Sequence, residues 1–283
     1  MPHLFIDGLA YHVETVGNGP PLVLLHGFTG SRTSWQQLTG SLGHHYASLI
    51  PDHIGHGLSG APRALERYQM RRVVDDLVEV IRACGHERAV WLGYSMGGRA
   101  ALQVALHRPE AVSALILEGA SPGLADPTER RERIAADEAL ADRIEAEGVD
   151  WFADYWGALA IWETQSSLNP VIGVALRQQR LAQRAVGLAN SLRGMGAGAQ
   201  DPLWDRLSEV AMPVQLIAGA LDEKYSHIAR EMALALPNAT IQLIEDAGHA
   251  AHLEQPDVFA SVVLDFLDGL AIDEPSPGGR GAT

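Results

Sequence analysis

Gly93-Tyr94-Ser95-Met96-Gly97 sets a serine between two glycines, after the apolar run Ala89-Val90-Trp91-Leu92 and before a helix-like run from Arg99 to Leu106. In a G-x-S-x-G pentad the serine occupies a strained strand-to-helix turn, and the glycines let strand and helix press against it. The pattern predicts Ser95 as a nucleophile or base. A serine hydroxyl is unreactive until a base takes its proton and an acid orients that base. In this architecture the acid follows the serine along the chain and the histidine comes last. Asp222 lies just past the run Val214 to Ala218, and His249 just past Ile241-Gln242-Leu243-Ile244, so both would project from one sheet edge beside Ser95. Glu223 and Asp246 are rival acids, and His252 is the rival base.

A third apolar run, Leu22-Val23-Leu24-Leu25, ends in His26-Gly27-Phe28. That ending resembles the loop that supplies one oxyanion-hole N–H in α/β-hydrolases, the second donor being the backbone N–H after the serine, here Met96. The Gly/His-rich turn Asp52 to Ser59 is expected to shape the loop beside the site. Arg99 falls in the first turns of the helix after Ser95, where the positive end of the dipole disfavours a cation by roughly 0.3–1 kcal/mol. A cation there points to an anion to be held; the alternative is a structural salt bridge, with Glu118 as partner. Further arginines stand at 130, 131 and 133, then at 177, 180 and 184, the last three spaced to share a helix face. One or two of these are expected to face the site and the rest to be solvated. Trp151, Trp156 and Trp162 either wall the pocket or pack among themselves.

These groups need a scaffold. Six continuous apolar runs, at 22–25, 47–50, 89–92, 114–117, 214–217 and 241–244, alternate with amphipathic segments such as Val73, Val74, Leu77, Val78 and Ile81 against Arg71, Asp75, Asp76, Glu79 and Arg82. Continuous runs are what strands become when helices cover both sheet faces, so the rhythm predicts a mostly parallel, doubly wound α/β sheet. Leu4 to Ile6 and Ala10 to Thr15, joined by Asp7-Gly8, read as an opening hairpin. The rhythm stops between about Ser121 and Pro202. The expected division is a core of 1–121 and 203–270, a helical cap of 122–202 over the sheet's carboxyl edge, and a Pro/Gly-rich disordered tail of 271–283.

Composition narrows the function. The chain of 283 residues carries 21 basic against 35 acidic side chains, a formal net charge of −14, which repels a polyanion and argues against nucleic acid. One cysteine, Cys84, excludes an intrachain disulfide and a cysteine-based zinc site. No signal peptide and no run of ~20 apolar residues is evident, so a cytoplasmic protein without membrane contact is expected. No metal or organic cofactor is called for, and oligomeric state is not legible.

Several strings together resemble one family: Leu25-His26-Gly27-Phe28-Thr29-Gly30, Gly93 to Arg99, Leu117-Glu118-Gly119-Ala120-Ser121-Pro122-Gly123-Leu124, Gly187-Leu188-Ala189-Asn190-Ser191-Leu192-Arg193-Gly194-Met195-Gly196, and Ala247-Gly248-His249 with His252-Leu253-Glu254. The chain is similar, up to about Leu270, to the 2-succinyl-6-hydroxy-2,4-cyclohexadiene-1-carboxylate synthases, α/β-hydrolase-fold lyases of menaquinone biosynthesis. The resemblance implies that Ser95, supported by His249 and Asp222, acts as a base on a carbon acid, that pyruvate leaves from an enolpyruvyl ether, and that no acyl-enzyme forms. It implies Phe28 and Met96 as oxyanion donors, Arg99, Arg133 and Arg180 as carboxylate ligands, and Tyr94 and Trp156 as pocket lining. His26 is counted with the substrate-binding residues, and a small carboxylate-rich molecule is the expected partner. One departure is Ala158-Leu159-Ala160-Ile161-Trp162, where the family has a proline-leucine-phenylalanine segment. The alternative activity is ester hydrolysis through an acyl-enzyme, and a third reading is a non-catalytic binding protein.

Overall fold

The computed structural model describes residues 3–270; the stretch expected as a tail, 271–283, lies outside the described residues. In chain order the strands are β1 (Leu4–Ile6), β2 (Leu9–Tyr11), β3 (Val13–Val16), β4 (Pro21–Leu25), β5 (Ala47–Pro51), β6 (Ala89–Tyr94), β7 (Val112–Glu118), β8 (Val214–Gly219) and β9 (Ala239–Ile244). The helices are α1 (Gln36–Leu42), α2 (Met70–Ala83), α3 (Met96–His107), α4 (Pro127–Gly157), α5 (Pro170–Leu181), α6 (Ala185–Met195), α7 (Glu223–Ala235), α8 (Ala251–Glu254) and α9 (Pro256–Gly269). Seven strands form one sheet in the order β3-β5-β4-β6-β7-β8-β9, parallel except for β3 against β5.

All six apolar runs are strands of this sheet. Along β4, Val23 and Leu25 pack into one core layer with α2 and α3, while Leu22 and Leu24 pack into the opposite layer with Trp35 and Phe259. Both faces are covered, which is why the run has no polar alternation. Full burial of each such leucine stabilises by about 1.5–3 kcal/mol.

Two local expectations need correction. The opening hairpin forms, with Asp7 (φ 43°) and Gly8 (φ 75°) both left-handed in its two-residue turn. Its second run is divided, however: β2 pairs with β1, whereas β3 leaves after His12 to join the edge of the main sheet. Asp76, read as part of the polar face of α2, is buried, accepting from Tyr11 Oη at 2.8 Å and Arg67 at 2.9 Å.

Between β7 and β8 the chain builds only helices and turns. Asp126 caps α4, accepting from the N–H groups of Thr128 and Glu129, and Gly148 (φ 83°) breaks that helix into two segments. Ile144 and Phe152 of α4 meet Leu188 and Leu192 of α6 in a small core of their own. At Gly187 the seam between cap and core is backbone on backbone. A Cβ at Gly187 would lie 2.1 Å from the Gly55 carbonyl oxygen, so no side chain fits there. Asn190 donates from the same helix to the carbonyls of Pro62 and Arg63. The distinctive string 187–196 is therefore a fastening strip.

Candidate active site

The loops leaving the carboxyl ends of β4, β6, β8 and β9 converge beneath the cap. Ser95 sits at φ 51°, ψ −109°, a conformation that costs a non-glycine residue of order 1–3 kcal/mol. The surroundings enforce it. A Cβ at Gly97 would lie 2.3 Å from the Leu25 carbonyl, and one at Gly93 would lie 2.4 Å from the Gly97 carbonyl. The Ser95 N–H donates to the Glu118 carbonyl at 2.8 Å, tying the turn to the end of β7.

His249 Nε2 stands 3.1 Å from Ser95 Oγ, and its Nδ1 stands 2.7 Å from Asp222 Oδ2. The other Asp222 oxygen accepts the Tyr225 N–H at 3.1 Å, so the start of α7 fixes the acid. With Nδ1–H donated to Asp222, the Nε2 lone pair is free to take the serine proton. Glu254 braces the histidine from below, accepting from the N–H groups of Gly248 at 2.7 Å and Ala250 at 3.3 Å on either side of it. The acid on His249 is thus Asp222, not Glu223 or Asp246. His252 is occupied elsewhere, its Nδ1 2.9 Å from Glu118 in a buried pair. That pair also removes Glu118 as the partner of Arg99.

A cavity of about 400 Å³ opens on the triad. Phe28 and Met96 line it beside Ser95, as do Trp156, Arg99 and Arg133. Arg99 is largely buried, and its guanidinium donates at 2.7 Å to two neutral oxygens, the Met195 carbonyl and Gln200 Oε1. Burial pulls its pKa down to about 10, which leaves it charged at neutral pH. Arg133 spends one N–H on Asp137 at 2.8 Å, and burial in turn raises the Asp137 carboxyl. Tyr94 Oη and the indole nitrogens of Trp156 and Trp162 are buried without a hydrogen-bond partner among the described residues. A ligand that accepts hydrogen bonds from such groups recovers about 1–3 kcal/mol apiece.

Three sequence expectations change. His26 does not line this cavity. It is fully buried beneath it, its Nδ1 2.8 Å from the Gly27 carbonyl and its Nε2 accepting the His53 N–H at 3.0 Å. Its place in the motif serves the loop. Arg180 borders an adjoining cavity of about 360 Å³ that shares Phe28, Tyr94 and Trp162 with the triad cavity, and its guanidinium lies 5.9 Å from the Trp162 ring centroid. The three arginines do not share one helix face as their spacing predicts, because α5 ends at Leu181 and Arg184 stands at the N-cap of α6; Arg177 and Arg184 are engaged elsewhere. Arg177 pairs with Asp154 at 2.9 Å, and Arg184 donates to the carbonyls of Ser59, His56 and Gly57.

Three residues went unanticipated. Lys224 and Tyr225 line the triad cavity, and the usable signal was their position directly after the acid. Buried Gln183 donates to the carbonyls of Thr29 and Gly30, each at 3.1 Å, and accepts the Gly57 N–H at 3.1 Å, binding the oxyanion loop to the cap. Among the described residues no group of three or more His, Cys, Asp and Glu is arranged to hold a metal ion, and no helix is long and apolar enough to cross a membrane.

The family model for the alpha/beta hydrolase fold matches residues 20–256. A protein of Bacillus subtilis (strain 168), named provisionally as a 2-succinyl-6-hydroxy-2,4-cyclohexadiene-1-carboxylate synthase, is 42% identical over 266 residues, covering 93% of this chain and 97% of its own. A synthase of the same name from Serratia proteamaculans (strain 568) is 32% identical over 88% of this chain and 93% of its own. Among solved structures, MenH from S. aureus superposes with a TM-score of 0.87 at 31% identity, covering 95% of this chain and 98% of that one.

Proposed function

The chain belongs to the 2-succinyl-6-hydroxy-2,4-cyclohexadiene-1-carboxylate synthases of the alpha/beta hydrolase fold, and we propose that it is the carbon–oxygen lyase of menaquinone biosynthesis that removes pyruvate from 2-succinyl-5-enolpyruvyl-6-hydroxy-3-cyclohexene-1-carboxylate. In this reading Ser95 Oγ takes the ring proton next to the succinyl carbonyl while His249 accepts the serine proton. The charge that develops on the carbonyl oxygen is held by the N–H groups of Phe28 and Met96. As the electrons return, the ring gains its second double bond, the C–O bond breaks with its electron pair on oxygen, and the departing pyruvate enolate is protonated on carbon, balancing the proton taken from the ring. Asp222 keeps the imidazole in the tautomer that can accept, and stabilises it once charged.

The observation that carries this reading over ester hydrolysis is Arg99. A buried guanidinium four residues from the base, bonded among the described residues only to neutral oxygens, suits a substrate bearing carboxylates and has no use in cleaving a neutral ester. Arg133 is the second carboxylate ligand in this proposal, and Arg180 serves from the adjoining cavity. The partner is thus a small polyacid. With a single cysteine in the chain, Cys84, the cytoplasm is the proposed compartment.

The test is pyruvate release from the enolpyruvyl substrate, followed by NADH consumption with lactate dehydrogenase. Turnover of that substrate supports the lyase. Rapid nitrophenyl-ester hydrolysis with no pyruvate would turn the assignment to the esterase.

A further inference from the structure

The chain contains twenty arginines and a single lysine, Lys224, and that lysine lines the cavity that holds the triad. Its position is electrostatically awkward. It is the second residue of α7, at the positive end of the helix dipole, where a cation is disfavoured. Arg99 stands in the same situation at the start of α3, facing the same cavity. Lys224 makes no ion pair among the described residues, and the nearest acid along the chain on the cavity side, Asp222, is committed to His249 and the Tyr225 N–H. The ammonium lies 5.8 Å from the centroid of the Tyr225 ring, which packs in turn on His249 at 4.5 Å between centroids. Lys224 is exposed and Arg99 more deeply buried, yet both line the same cavity.

Resting on the lyase reading, we propose that Lys224 is a substrate-binding residue that grips a carboxylate at the cavity mouth. The planar forks of Arg99 and Arg133 fix carboxylates rigidly, whereas an ammonium on a four-carbon stem can follow a carboxylate that moves. The substrate offers two mobile ones, on the enolpyruvyl group and at the end of the succinyl chain.

Lys224→Met should raise KM for pyruvate release about tenfold or more with kcat within threefold, and Lys224→Arg should restore most of the loss. Inhibition by added pyruvate and by added succinate separates the two carboxylates: the inhibitor whose Ki rises in Lys224→Met marks the one held. A second readout does not need the lyase reaction. As the only side-chain amine, Lys224 can be trapped by pyridoxal 5′-phosphate and borohydride, and peptide mapping distinguishes it from the terminal amine. Slowing of that trapping by pyruvate or succinate is expected even if the native enzyme releases no pyruvate, an outcome that would remove the function and leave the anion site standing. A KM within twofold of wild type together with no protection from trapping overturns the proposal. So does an equal fall in kcat on nitrophenyl acetate, which would place the effect on the triad.

Discussion

Arg193 belongs to α6, the helix whose Met195 carbonyl receives Arg99, and the two guanidiniums are treated in opposite ways. On the outer face of the cap, Arg193 is matched by three carboxylates of α4, Glu138 at 2.8 Å, Asp142 at 2.6 Å and Glu145 at 2.9 Å. Under the cap, Arg99 touches the backbone carbonyl of Met195 and an uncharged amide. A guanidinium that holds helices together is neutralised by the protein. One kept for a ligand is hydrogen-bonded firmly enough to stay in place while its charge is left unanswered. An acidic chain with a net charge of −14 could have supplied a carboxylate to Arg99, and its absence from that contact is the informative difference.

The largest effect is expected at the base. Ser95→Ala should cut pyruvate release by about 10³-fold or more while leaving Tm unchanged or raised, since the strained φ of 51° remains but a catalytic group is gone. Near-normal turnover would mean the proton leaves by another route. Arg99→Met comes next: a charged hydrogen bond is worth about 1.5–3 kcal/mol, so kcat/KM on the polyacid should fall about 10–100-fold while nitrophenyl-ester hydrolysis is spared. Equal losses on both substrates would make Arg99 a structural arginine like its counterpart.

Acid tests the site's underside. Burial depresses the imidazoles of His26, His53 and His56, the last to about 3, with His26 adding to the shift at the other two. Each is neutral in the fold and takes a proton on unfolding below its ordinary pKa near 6.5. The unfolded state therefore binds more protons as pH drops, and stability present above pH 6.5 is lost below it at about 1.4 kcal/mol per pH unit for each imidazole still neutral in the fold, a window that for His56 extends down to about 3. Urea midpoints measured from pH 7 to 5 should fall steadily, and His56→Phe should flatten that fall; an unaltered slope would refute the assignment. The smallest effect belongs to Arg193→Met, which should lower stability by about 1 kcal/mol with KM unaltered, because its partners are half-exposed.

The scaffold and the triad were legible because each leaves a local mark. Doubly covered strands lose their alternation, and the pentad around Ser95 requires glycines whose absent side chains make room for the elbow. Direction was not legible. His26 holds a motif position, yet nothing in the string says that its ring turns inward to the His53 N–H rather than towards ligand. Arg177, Arg180 and Arg184 share a helical spacing, and only the end of α5 at Leu181 and tertiary partners, Asp154 for one and the carbonyls of the Ser59 turn for another, separate them. Gln183 carries no motif at all, since a buried amide joining two loops far from it in sequence, at Thr29-Gly30 and at Gly57, becomes visible only when those loops meet.

The contact of Gly187 with Gly55 has a practical side for anyone recombining these enzymes. Because the two backbones touch, the pair behaves as a matched tongue and slot divided between halves of the gene. A chimera that takes its upper half from a relative with any side chain at the position of Gly187 arrives with a wedge in the joint, and crossover points have to be chosen so that both glycines travel together.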